Sequence, residues 1–463
     1  MSIFNASAFR KYDIRGRVDD DLHDEFVTSL GKAYGTVIRR SGGSTVALGR
    51  DCRLSGERIF EGFKNGILST GIHVVTLGIV PTPLVYFALH QTDIDGGVSI
   101  TGSHNPIGWN GFKLCRGTES IYGEGIQELY RLMTNGDFDR GHGTSRSLDL
   151  KNAYISTCLS SLMPVKKTLS VVIDAGNGTA GIVAGDLYRR MGVNVEELYC
   201  TPDGRFPNHH PDPTVEANIA ELRERVLSSG ADLGLAFDGD ADRLGAIDSE
   251  GRIVWGDQLL TFFGLSLLEH KPDARIVGEV KCSKVMYDTL RTAGAQVEMW
   301  KVGHSMIKAR MRETQADLAG EMSGHLFFAD RYLGYDDAVY AGARLIELVG
   351  QSEKTLSQWV DSLPTMSATP EIRVACPDAY KFEVTQKAAD YFSDRYTTNR
   401  VDGVRIEFPE GWGLLRASNT QPVIVMRFEA TTVEHRDACR REVEEWLRTH
   451  APDVNFEMDT HHS

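Results

Sequence analysis

A short apolar run that ends in Asp, with Gly close by, occurs three times, and it constrains the fold more than any other sequence feature. The runs are 47–51, 170–174 and 233–238. In the first region, apolar residues at helical spacing alternate with apolar, β-branched runs such as 45–48 and 73–80, which are typical of buried strands. This alternation predicts a mostly parallel sheet, and the recurrence predicts three similar α/β modules in tandem.

Turn-rich passages divide the chain at three places. A charged stretch at 137–149 marks a first boundary, and the turn Asp-Ser-Glu-Gly at 248–251 marks a second. Three prolines between 363 and 377 mark the third. Beyond them we predict, in order, a helix, a strand and a charged amphipathic helix, at 382–392, 423–428 and 433–447.

Composition excludes several classes of protein. The formal net charge of -14, without clustered Lys or Arg, argues against a nucleic-acid partner. The seven cysteines are widely spaced and form no C-x-x-C pair, as in a protein with reduced thiols. No run approaches the roughly 18 apolar residues of a membrane span, and the N-terminus carries no secretion signal. We therefore expect a cytoplasmic protein with no membrane partner.

The segment 238–243 reads Asp-Gly-Asp-Ala-Asp-Arg and places three carboxylates at every second position after an apolar run. Carboxylates spaced in this way from one loop point at a common centre and favour Mg²⁺ shared with a substrate phosphate. An EF-hand calcium loop fits poorly because it needs Gly at its sixth position and Glu at its twelfth, where this chain has Arg243 and Ser249. A solvated acidic turn is the alternative without function.

A hydroxyl nucleophile, Ser103, stands in the segment Thr-Gly-Ser-His-Asn-Pro at 101–106. A serine on such a turn is expected to be exposed, and an ordinary polar turn is the alternative reading. Lys113 would return close to Ser103 along a tight hairpin, where it could handle a proton or a phosphate. A surface lysine is the alternative for Lys113.

Two further loops carry groups suited to a sugar phosphate. The segment 320–325, Gly-Glu-Met-Ser-Gly-His, offers an acid, a hydroxyl and an imidazole for vicinal sugar hydroxyls, although Ser323 could instead cap a helix. The segment 416–420, Arg-Ala-Ser-Asn-Thr, gathers a guanidinium, two hydroxyls and an amide, which suit the oxygens of a phosphate. A plain polar turn before the next strand is the alternative.

A glycine-rich stretch at 176–181 matches the G-x-G-x-x-G pattern of dinucleotide sites. The pattern is common by chance, Glu196 in the position of the ribose-binding acid lies in a pair with Glu197, and Asp174 interrupts the strand end. We interpret these glycines as serving a tight turn and helix packing rather than a nicotinamide cofactor.

Together, the four segments 101–106, 238–243, 320–325 and 416–420 resemble the phosphoserine, metal, sugar-specificity and phosphate loops of the α-D-phosphohexomutase superfamily, in the family's order. The resemblance begins at 9–16, Phe-Arg-Lys-Tyr-Asp-Ile-Arg-Gly, and so covers nearly the whole chain.

Within that superfamily the chain is similar to the bacterial phosphomannomutase/phosphoglucomutase branch. Phosphoglucosamine mutases typically have Gln where Met322 stands and Gly where Ala241 stands, and both differences favour a hexose without an amino group.

The resemblance implies three α/β domains with mixed, mostly parallel sheets and a smaller α+β C-terminal domain around a central cleft. The expected domains carry, in order, the phosphoserine, the metal, the sugar-specificity loop and the phosphate loop: 1–149, 150–252, 253–364 and 365–463.

The resemblance also assigns roles to individual residues. Ser103 becomes the phosphorylated residue, and its phosphate completes an Mg²⁺ site. The three carboxylate ligands are Asp238, Asp240 and Asp242. Arg243 lies beside the metal, Lys113 and His325 are candidates for acid–base catalysis, and Arg15 belongs to the catalytic set.

The remaining carried-over residues bind substrate. Glu321 and Ser323 hold the sugar hydroxyls. The non-reacting phosphate is bound by a larger set: Arg416, Ser418, Asn419, Thr420, Tyr12, Arg15, Lys281 and His304.

The implied reaction interconverts hexose 1-phosphate and hexose 6-phosphate, of mannose or glucose, through phosphoserine. A hexose 1,6-bisphosphate is the intermediate and activator, and it must turn round between the two transfers. We expect a monomer or a weak dimer. The alternatives are a phosphoglucosamine mutase, a phosphatase in which water accepts the phosphoryl group, and a silent sensor of sugar phosphates.

Overall fold

The computed structural model describes residues 4–419, 421–452 and 454, and these residues form four β-sheets with helices packed against them. The first three sheets are mixed, with parallel strands at their centres, and the fourth is antiparallel. This arrangement confirms the expected fold class. We call the four parts units 1 to 4 in chain order. No helix in the described ranges is long and apolar enough to cross a membrane.

Unit 1 holds a seven-stranded sheet in the order β1-β5-β4-β2-β3-β7, with β6 paired to β5. Strands β4, β2, β3 and β7 run parallel to one another, whereas β5 is antiparallel to both β1 and β4. The elements are β1 (Ile14–Arg17), α1 (Asp24–Arg40), β2 (Thr45–Arg50), α2 (Gly56–Leu68), β3 (His73–Ile79), α3 (Thr82–Gln91), β4 (Gly96–Ile100), β5 (Trp109–Arg116), β6 (Glu119–Ser120), α4 (Glu124–Asn135) and β7 (Ser145–Ser147).

Unit 2 holds a five-stranded sheet in the order β12-β11-β10-β8-β9. Strand β8 is parallel to both of its neighbours, and the hairpin β10–β11 carries the three-carboxylate segment at its turn. The elements are α5 (Lys151–Ser161), β8 (Ser170–Asp174), α6 (Ala184–Arg190), β9 (Asn194–Leu198), α7 (Ala220–Ser229), β10 (Leu233–Phe237), β11 (Leu244–Asp248) and β12 (Ile253–Val254).

Unit 3 holds a four-stranded sheet in the order β14-β13-β15-β16, parallel except for the last pair. The elements are α8 (Gly256–Leu268), β13 (Arg275–Glu279), α9 (Lys284–Thr292), β14 (Gln296–Trp300), α10 (His304–Thr314), β15 (Leu318–Gly320), β16 (Leu326–Phe328), α11 (Ala338–Gln351) and α12 (Leu356–Asp361).

Unit 4 holds a six-stranded antiparallel sheet in the order β17-β22-β21-β20-β19, with β18 also paired to β22. The elements are β17 (Ser367–Ala368), β18 (Ile372–Ala375), α13 (Asp378–Ser393), β19 (Thr397–Asn399), β20 (Val404–Phe408), β21 (Gly411–Ala417), β22 (Val423–Ala430) and α14 (Val433–His450). The predicted helix at 382–392, strand at 423–428 and helix at 433–447 are confirmed by α13, β22 and α14.

Strand β3 differs from the expectation of a fully buried strand. Val74 and Val75 are buried, but Ile79 at its end is 40% exposed. The neighbouring strand β7 pairs only with residues 74–76 of β3, so the far end of β3 lies at an open edge of the sheet. The prediction was therefore wrong for the end of this strand and correct for β2, whose four central residues are buried.

Units 2 and 3 share one hydrophobic core that also takes in α3 and neighbouring residues of unit 1, whereas a second core lies within unit 1 and a third within unit 4. Helix α11 lies between the two sheets of the shared core, where it packs against α6, α8, β11 and β16. Its first residue, Ala338, donates its backbone N–H to Ala241 O at 3.2 Å. The shared core thereby fixes the three-carboxylate segment of unit 2 against the start of a helix of unit 3.

Candidate active site

The loop that carries Ser103 follows β4 and is held in place by two residues beyond the end of β2. Asp51 accepts hydrogen bonds from Thr101 Oγ1 and Gly102 N, both at 2.9 Å. Arg53 is buried and donates to the carbonyl oxygens of Ser103 and Pro106 at 2.9 and 2.8 Å. Because both anchors directly follow the neighbouring strand of the same sheet, the rigid centre of unit 1 sets the position of Ser103.

Ser103 itself is 1% exposed, so the expectation of an exposed serine was wrong. The metal loop of unit 2 covers it, and a Cβ on Gly239 would lie only 2.6 Å from Ser103 O. Ser103 has a φ of 48°, in the left-handed region that non-glycine residues rarely adopt. Its Oγ donates to Asp238 Oδ2 at 2.7 Å and lies 3.1 Å from His104 Nδ1. A strained backbone thus aims the hydroxyl across the interface between units 1 and 2.

The three carboxylates of the loop 238–243 converge as the sequence predicted. Asp238, Asp240 and Asp242 each offer an oxygen within 4.8 Å of the others, and all three are 0% exposed. Ala241 between them has a φ of 61°. The alternative of a solvated acidic turn is therefore wrong, because buried like charges at this spacing repel one another unless a cation joins them.

Lys113 is the ammonium that contacts this cluster, and at 5% exposure it is not a surface lysine. Its Nζ donates to Asp240 Oδ2 at 2.7 Å and to Asp242 Oδ2. Burial opposes the charge on Lys113, but Asp240 and Asp242 outweigh it and raise the pKa of Lys113. The hairpin that brings Lys113 here is not tight, because its strands are joined by the long loop 101–108.

The electrostatics of the three aspartates are unequal. Burial and the charges of Asp240 and Asp242 raise the pKa of Asp238 well above its usual value. For Asp240, Lys113 and the Thr82 hydroxyl at 2.6 Å outweigh burial and lower the pKa. One ammonium thus balances only part of the negative charge of the three carboxylates.

The donor set fits a divalent metal ion. Asp240 Oδ1 and Asp242 Oδ1 are buried and have no hydrogen-bond partner among the residues that the structure describes. Unpaired buried carboxylate oxygens are costly, and hard cations such as Mg²⁺ bind carboxylate oxygens. These residues can therefore hold a metal ion, in agreement with the metal site that the sequence predicted.

His325 lies next to the carboxylates at the end of the segment 320–325. Its Nε2 accepts a hydrogen bond from Arg243 Nε at 3.0 Å, and its Nδ1 lies 3.6 Å from Asp242 Oδ1. His304 stacks on the His325 ring, with centroids 5.4 Å apart. Burial and the ammonium of Lys308 lower the pKa of His304 well below its usual value. The two predicted histidines and Arg243 thus form one cluster beside the metal loop.

The segment 320–325 joins β15 to β16, so Ser323 does not cap a helix. Ser323 Oγ donates to Glu321 Oε2 at 3.2 Å, while Glu321 Oε1 accepts from Gly303 N at 2.8 Å, directly before α10. Beneath the loop, the buried Glu279 accepts from Met322 N at 3.2 Å. Burial raises the pKa of Glu279 to about 7 despite the opposing charge of Lys281. The loop is therefore anchored through Glu321 and Met322, with the two predicted sugar ligands in contact.

The predicted phosphate loop follows β21 in unit 4. Arg416 is buried and paired with Asp402, whose Oδ2 lies 3.1 Å from Arg416 Nε and 3.0 Å from Nη2. Asn419 Oδ1 accepts from Lys11 Nζ of unit 1 at 3.3 Å. Ser418 is buried close to them, and Thr420 lies outside the described residues.

The other predicted phosphate ligands come from units 1 and 3. The ring of Tyr12 meets His304 edge-on at 6.3 Å between centroids, and Arg15 pairs with Asp13 at 2.5 Å. Lys281 is buried and pairs with Glu371 of unit 4 at 3.3 Å. These contacts place Tyr12 beside the histidine cluster and Lys281 at the contact between units 3 and 4.

The glycine stretch 176–181 forms a turn, as predicted, with a φ of 49° at Gly176, and it packs against the metal loop rather than against a helix. A Cβ on Gly178 would lie 2.8 Å from Gly239 O, and Thr179 N donates to the same oxygen at 3.1 Å. A Cβ on Gly181 would lie 1.9 Å from Cys200 O. The glycines allow two backbones to meet at close distance.

Sequence reasoning missed four residues that shape this site. Asp51 and Arg53 hold the serine loop, Asp402 pairs with Arg416, and Asp336 lies 3.1 Å from His325 Nδ1. Asp51 carried a signal of its own, because it ends the first of the three recurring apolar runs.

Comparisons with known proteins follow the same division of the chain. Models of the family described as phosphoglucomutase/phosphomannomutase match residues 6–140 (alpha/beta/alpha domain I), 152–251 (domain II), 255–366 (domain III) and 371–445 (C-terminal domain).

Individual relatives cover nearly the full length. The chain is 42% identical over 438 residues to phosphomannomutase/phosphoglucomutase of Pseudomonas aeruginosa, covering 94% of each chain. It is 40% identical to a phosphoglucomutase of Neisseria gonorrhoeae, covering 93% of this chain and 95% of the relative. The crystal structure of a phosphoglucomutase/phosphomannomutase family protein from Burkholderia thailandensis superposes with a TM-score of 0.92 at 37% identity, over 98% of this chain and 99% of the other. The chain belongs to the phosphoglucomutase/phosphomannomutase family.

Proposed function

We propose that the chain is a phosphomannomutase/phosphoglucomutase that moves a phosphoryl group between the 1- and 6-positions of mannose or glucose phosphate through Ser103. One observation carries the proposal: Ser103 Oγ, on a strained backbone, donates to Asp238 within a buried group of three carboxylates. An ordinary turn serine needs neither the strain nor these neighbours. The names of the relatives support the substrate class.

Asp238, Asp240 and Asp242, together with phosphorylated Ser103, would hold Mg²⁺. When bound, the ion supplies positive charge to the phosphoryl oxygens, whose charge spreads in a loose transition state. Lys113 adds a second cation, because its contacts with Asp240 and Asp242 keep it protonated. We therefore assign Lys113 to charge stabilisation rather than to base catalysis.

We assign the transfer of the hydroxyl proton to His325. Its Nε2 accepts a hydrogen bond from Arg243, and this atom takes the proton of the sugar hydroxyl when the arriving substrate displaces that contact. The bond between phosphorus and Ser103 Oγ breaks as the bond to the sugar oxygen forms. Oγ leaves as an oxyanion and takes a proton from water, which makes it the hydroxyl that donates to Asp238. In the second transfer the steps reverse: Oγ returns its proton to water as it receives the phosphoryl group, and His325 gives its proton to the other sugar oxygen.

Substrate binding is assigned to the loops of units 3 and 4. Glu321 and Ser323 would hold the sugar hydroxyls. The other phosphate would be bound by Arg416, Ser418, Asn419, Thr420, Tyr12, Arg15, Lys281 and His304. A hexose 1,6-bisphosphate then presents either end to the same groups, and movement of unit 4 would allow it to turn round.

We propose that hexose 1,6-bisphosphate activates the enzyme, that the protein acts in the cytoplasm as a monomer or weak dimer, and that the domains divide at 149, 252 and 364.

The test compares the wild type with Ser103→Ala in the presence of Mg²⁺ and catalytic glucose 1,6-bisphosphate. We expect phosphoserine in the intact mass of the wild type, interconversion of the 1- and 6-phosphates of mannose and of glucose, and little inorganic phosphate. Ser103→Ala should lose most turnover. The control Ser55→Ala, whose hydroxyl accepts from Asn110 near the same loop, should keep it.

Each alternative predicts a different result. Release of inorganic phosphate at the rate of substrate loss would indicate a phosphatase, and preference for glucosamine phosphate would indicate a phosphoglucosamine mutase. Full activity of Ser103→Ala without phosphoserine in the wild type would contradict the proposal.

A further inference from the structure

Asp336 is a buried carboxylate directly before α11, in the sequence Tyr-Asp-Asp-Ala at 335–338. Its neighbour Asp337 caps α11 by accepting from Tyr340 N at 2.9 Å. Asp336 also forms an antiparallel bridge with Phe327 of β16. The cap and the bridge fix the backbone of Asp336 beside Phe327, which follows His325 by two residues in the chain.

The side chain of Asp336 faces His325. Asp336 Oδ2 lies 3.1 Å from His325 Nδ1, and Arg243 Nε donates to His325 Nε2 at 3.0 Å. An arginine nitrogen is always a donor, so Nε2 must be the acceptor and the proton of a neutral His325 must sit on Nδ1, facing Asp336. The contact with Arg243 sets the tautomer of the ring, and Asp336 is the nearer of two carboxylates to Nδ1, ahead of Asp242 at 3.6 Å.

The other contacts of Asp336 fix the position of its side chain. Asp336 Oδ1 accepts from Lys308 Nζ at 2.8 Å, and that ammonium lies 4.0 Å from the centre of the Tyr86 ring. His304 Nδ1 is 3.5 Å from Asp336 Oδ2, and the His304 ring stacks on His325. Lys308 balances the charge of Asp336, and His304 blocks rotation of the His325 ring.

A second metal ion is the competing interpretation, because Asp242, His325 and Asp336 offer ligand atoms within 4.8 Å of one another. Lys308 already places an ammonium on Asp336, and Arg243 occupies Nε2 of His325. A further cation at this point would lie among positive charges, so the contacts favour a proton-handling cluster.

We propose that Asp336 is a positioning residue that holds His325 with Nδ1 protonated, so that Nε2 keeps its lone pair and can accept the proton of the sugar hydroxyl once the substrate displaces Arg243. This inference rests on the proposed function, since it deepens the role of His325 in that reaction. Asp336 acts through His325 and does not touch substrate. Carboxylates that orient a metal-bound histidine are worth about 10- to 100-fold in activity when removed, and we expect a loss of the same order for this pair.

The first test is kinetic and uses the full chain with Mg²⁺ and glucose 1,6-bisphosphate. Asp336→Asn should lower kcat about 10- to 100-fold while KM stays within about twofold. The matched control is Asp337→Asn, which changes the adjacent buried carboxylate but not the contact with His325, and Asn also caps helices well. Its kcat should stay within about threefold of the wild type. An equal loss in both variants would overturn the inference, because it would indicate a purely structural effect.

The second test is a double-mutant cycle with His325→Ala. If Asp336 acts through His325, then Asp336→Asn should cost nothing further once His325 is gone. Losses that multiply in the double variant would overturn the inference. If the wild type itself shows no mutase turnover, the proposed function fails; if the wild type turns over and the losses multiply, only the present inference fails.

A spectroscopic test reads the tautomer directly. In protein labelled with ¹⁵N-histidine, the His325 signals are assigned by their disappearance in His325→Ala, and the neutral ring should carry its proton on Nδ1. A proton on Nε2 in the free wild type would overturn the inference. Should Asp336→Asn fail to fold because Lys308 is left unpaired, Asp336→Asn with Lys308→Met removes both charges and should show the same loss of kcat.

Discussion

Replacing Lys113 tests the charge balance of the metal loop without any reference to turnover. Lys113→Met keeps the length of the side chain and removes the ammonium that contacts Asp240 and Asp242. All three aspartates are 0% exposed, so the variant leaves buried carboxylates without a partner. Breaking a buried ion pair in this way costs about 3–5 kcal/mol. At roughly 2–4 °C per kcal/mol for a unit of this size, the thermal midpoint in chelator should fall by roughly 10 °C.

Magnesium should restore much of this loss. A ligand at 100 times its Kd stabilises the folded protein by about 2.7 kcal/mol. The carboxylates repel one another more strongly without Lys113, so Mg²⁺ should bind Lys113→Met at least about tenfold more tightly, a further 1.4 kcal/mol or so. Titration calorimetry gives the Kd, and scanning calorimetry with chelator and with Mg²⁺ gives the stability of each form.

The control is Lys387→Met, which removes an exposed lysine paired with Glu383. Exposed pairs contribute about 0–1 kcal/mol, so this variant should unfold near the wild-type temperature in both buffers. Two results would refute the reasoning: a metal-free Lys113→Met as stable as the wild type, or an equal effect of Mg²⁺ on both proteins.

Three further predictions follow from the same contacts. Asp240→Asn should lose Mg²⁺-dependent turnover with an unchanged circular dichroism spectrum; equal turnover in chelator and in magnesium would contradict the metal assignment. Burial raises the pKa of Glu279 to about 7 and so favours its protonated form. The protonated side chain contributes its full stability in acid, and this stability is lost as the pH rises through 7. Glu279→Gln should therefore flatten the decline of the thermal midpoint between pH 5 and 8, and an unchanged decline would show that other groups cause it. Arg53→Met leaves buried carbonyl oxygens without a donor and removes the guanidinium nitrogen that lies 3.3 Å from Asp51 Oδ2. It should therefore cost more than about 3 kcal/mol and speed hydrogen exchange around Ser103; protection equal to the wild type would contradict that anchor.

The features that the sequence predicted well are those that local spacing determines. Segments with apolar residues at helical spacing alternate with apolar, β-branched runs, and this alternation predicted the strands and helices of unit 1. The spacing of Asp238, Asp240 and Asp242 predicted that they would converge. Both depend only on residues close in the chain, whose geometry follows from the strand and the turn. The serine was placed correctly after a strand for the same reason.

The errors concern contacts between distant parts of the chain. Ser103 was expected on an exposed turn, but the metal loop of unit 2 covers it. No pattern in the sequence around a residue shows that another domain buries it. Arg53 and Asp402 escaped notice because each is an ordinary charged residue in its own segment and gains its role only from a partner in space. Asp337 could have been found, since Asp directly before an apolar helical run predicts an N-cap, and it would have drawn attention to Asp336 beside it.

The pairing of Arg416 with Asp402 bears on how such a site could release its substrate. Asp402 also accepts a hydrogen bond from Val302 N of unit 3 at 3.1 Å, so one carboxylate links the phosphate loop to the neighbouring unit. A phosphate that binds Arg416 must share it with Asp402, which offsets part of the attraction. In the proposed reaction the bisphosphate has to leave this loop and return by its other end in every cycle, and a loop that held it too tightly would slow turnover. A guanidinium that keeps a carboxylate partner of its own holds its position between these two binding events and grips either phosphate only moderately.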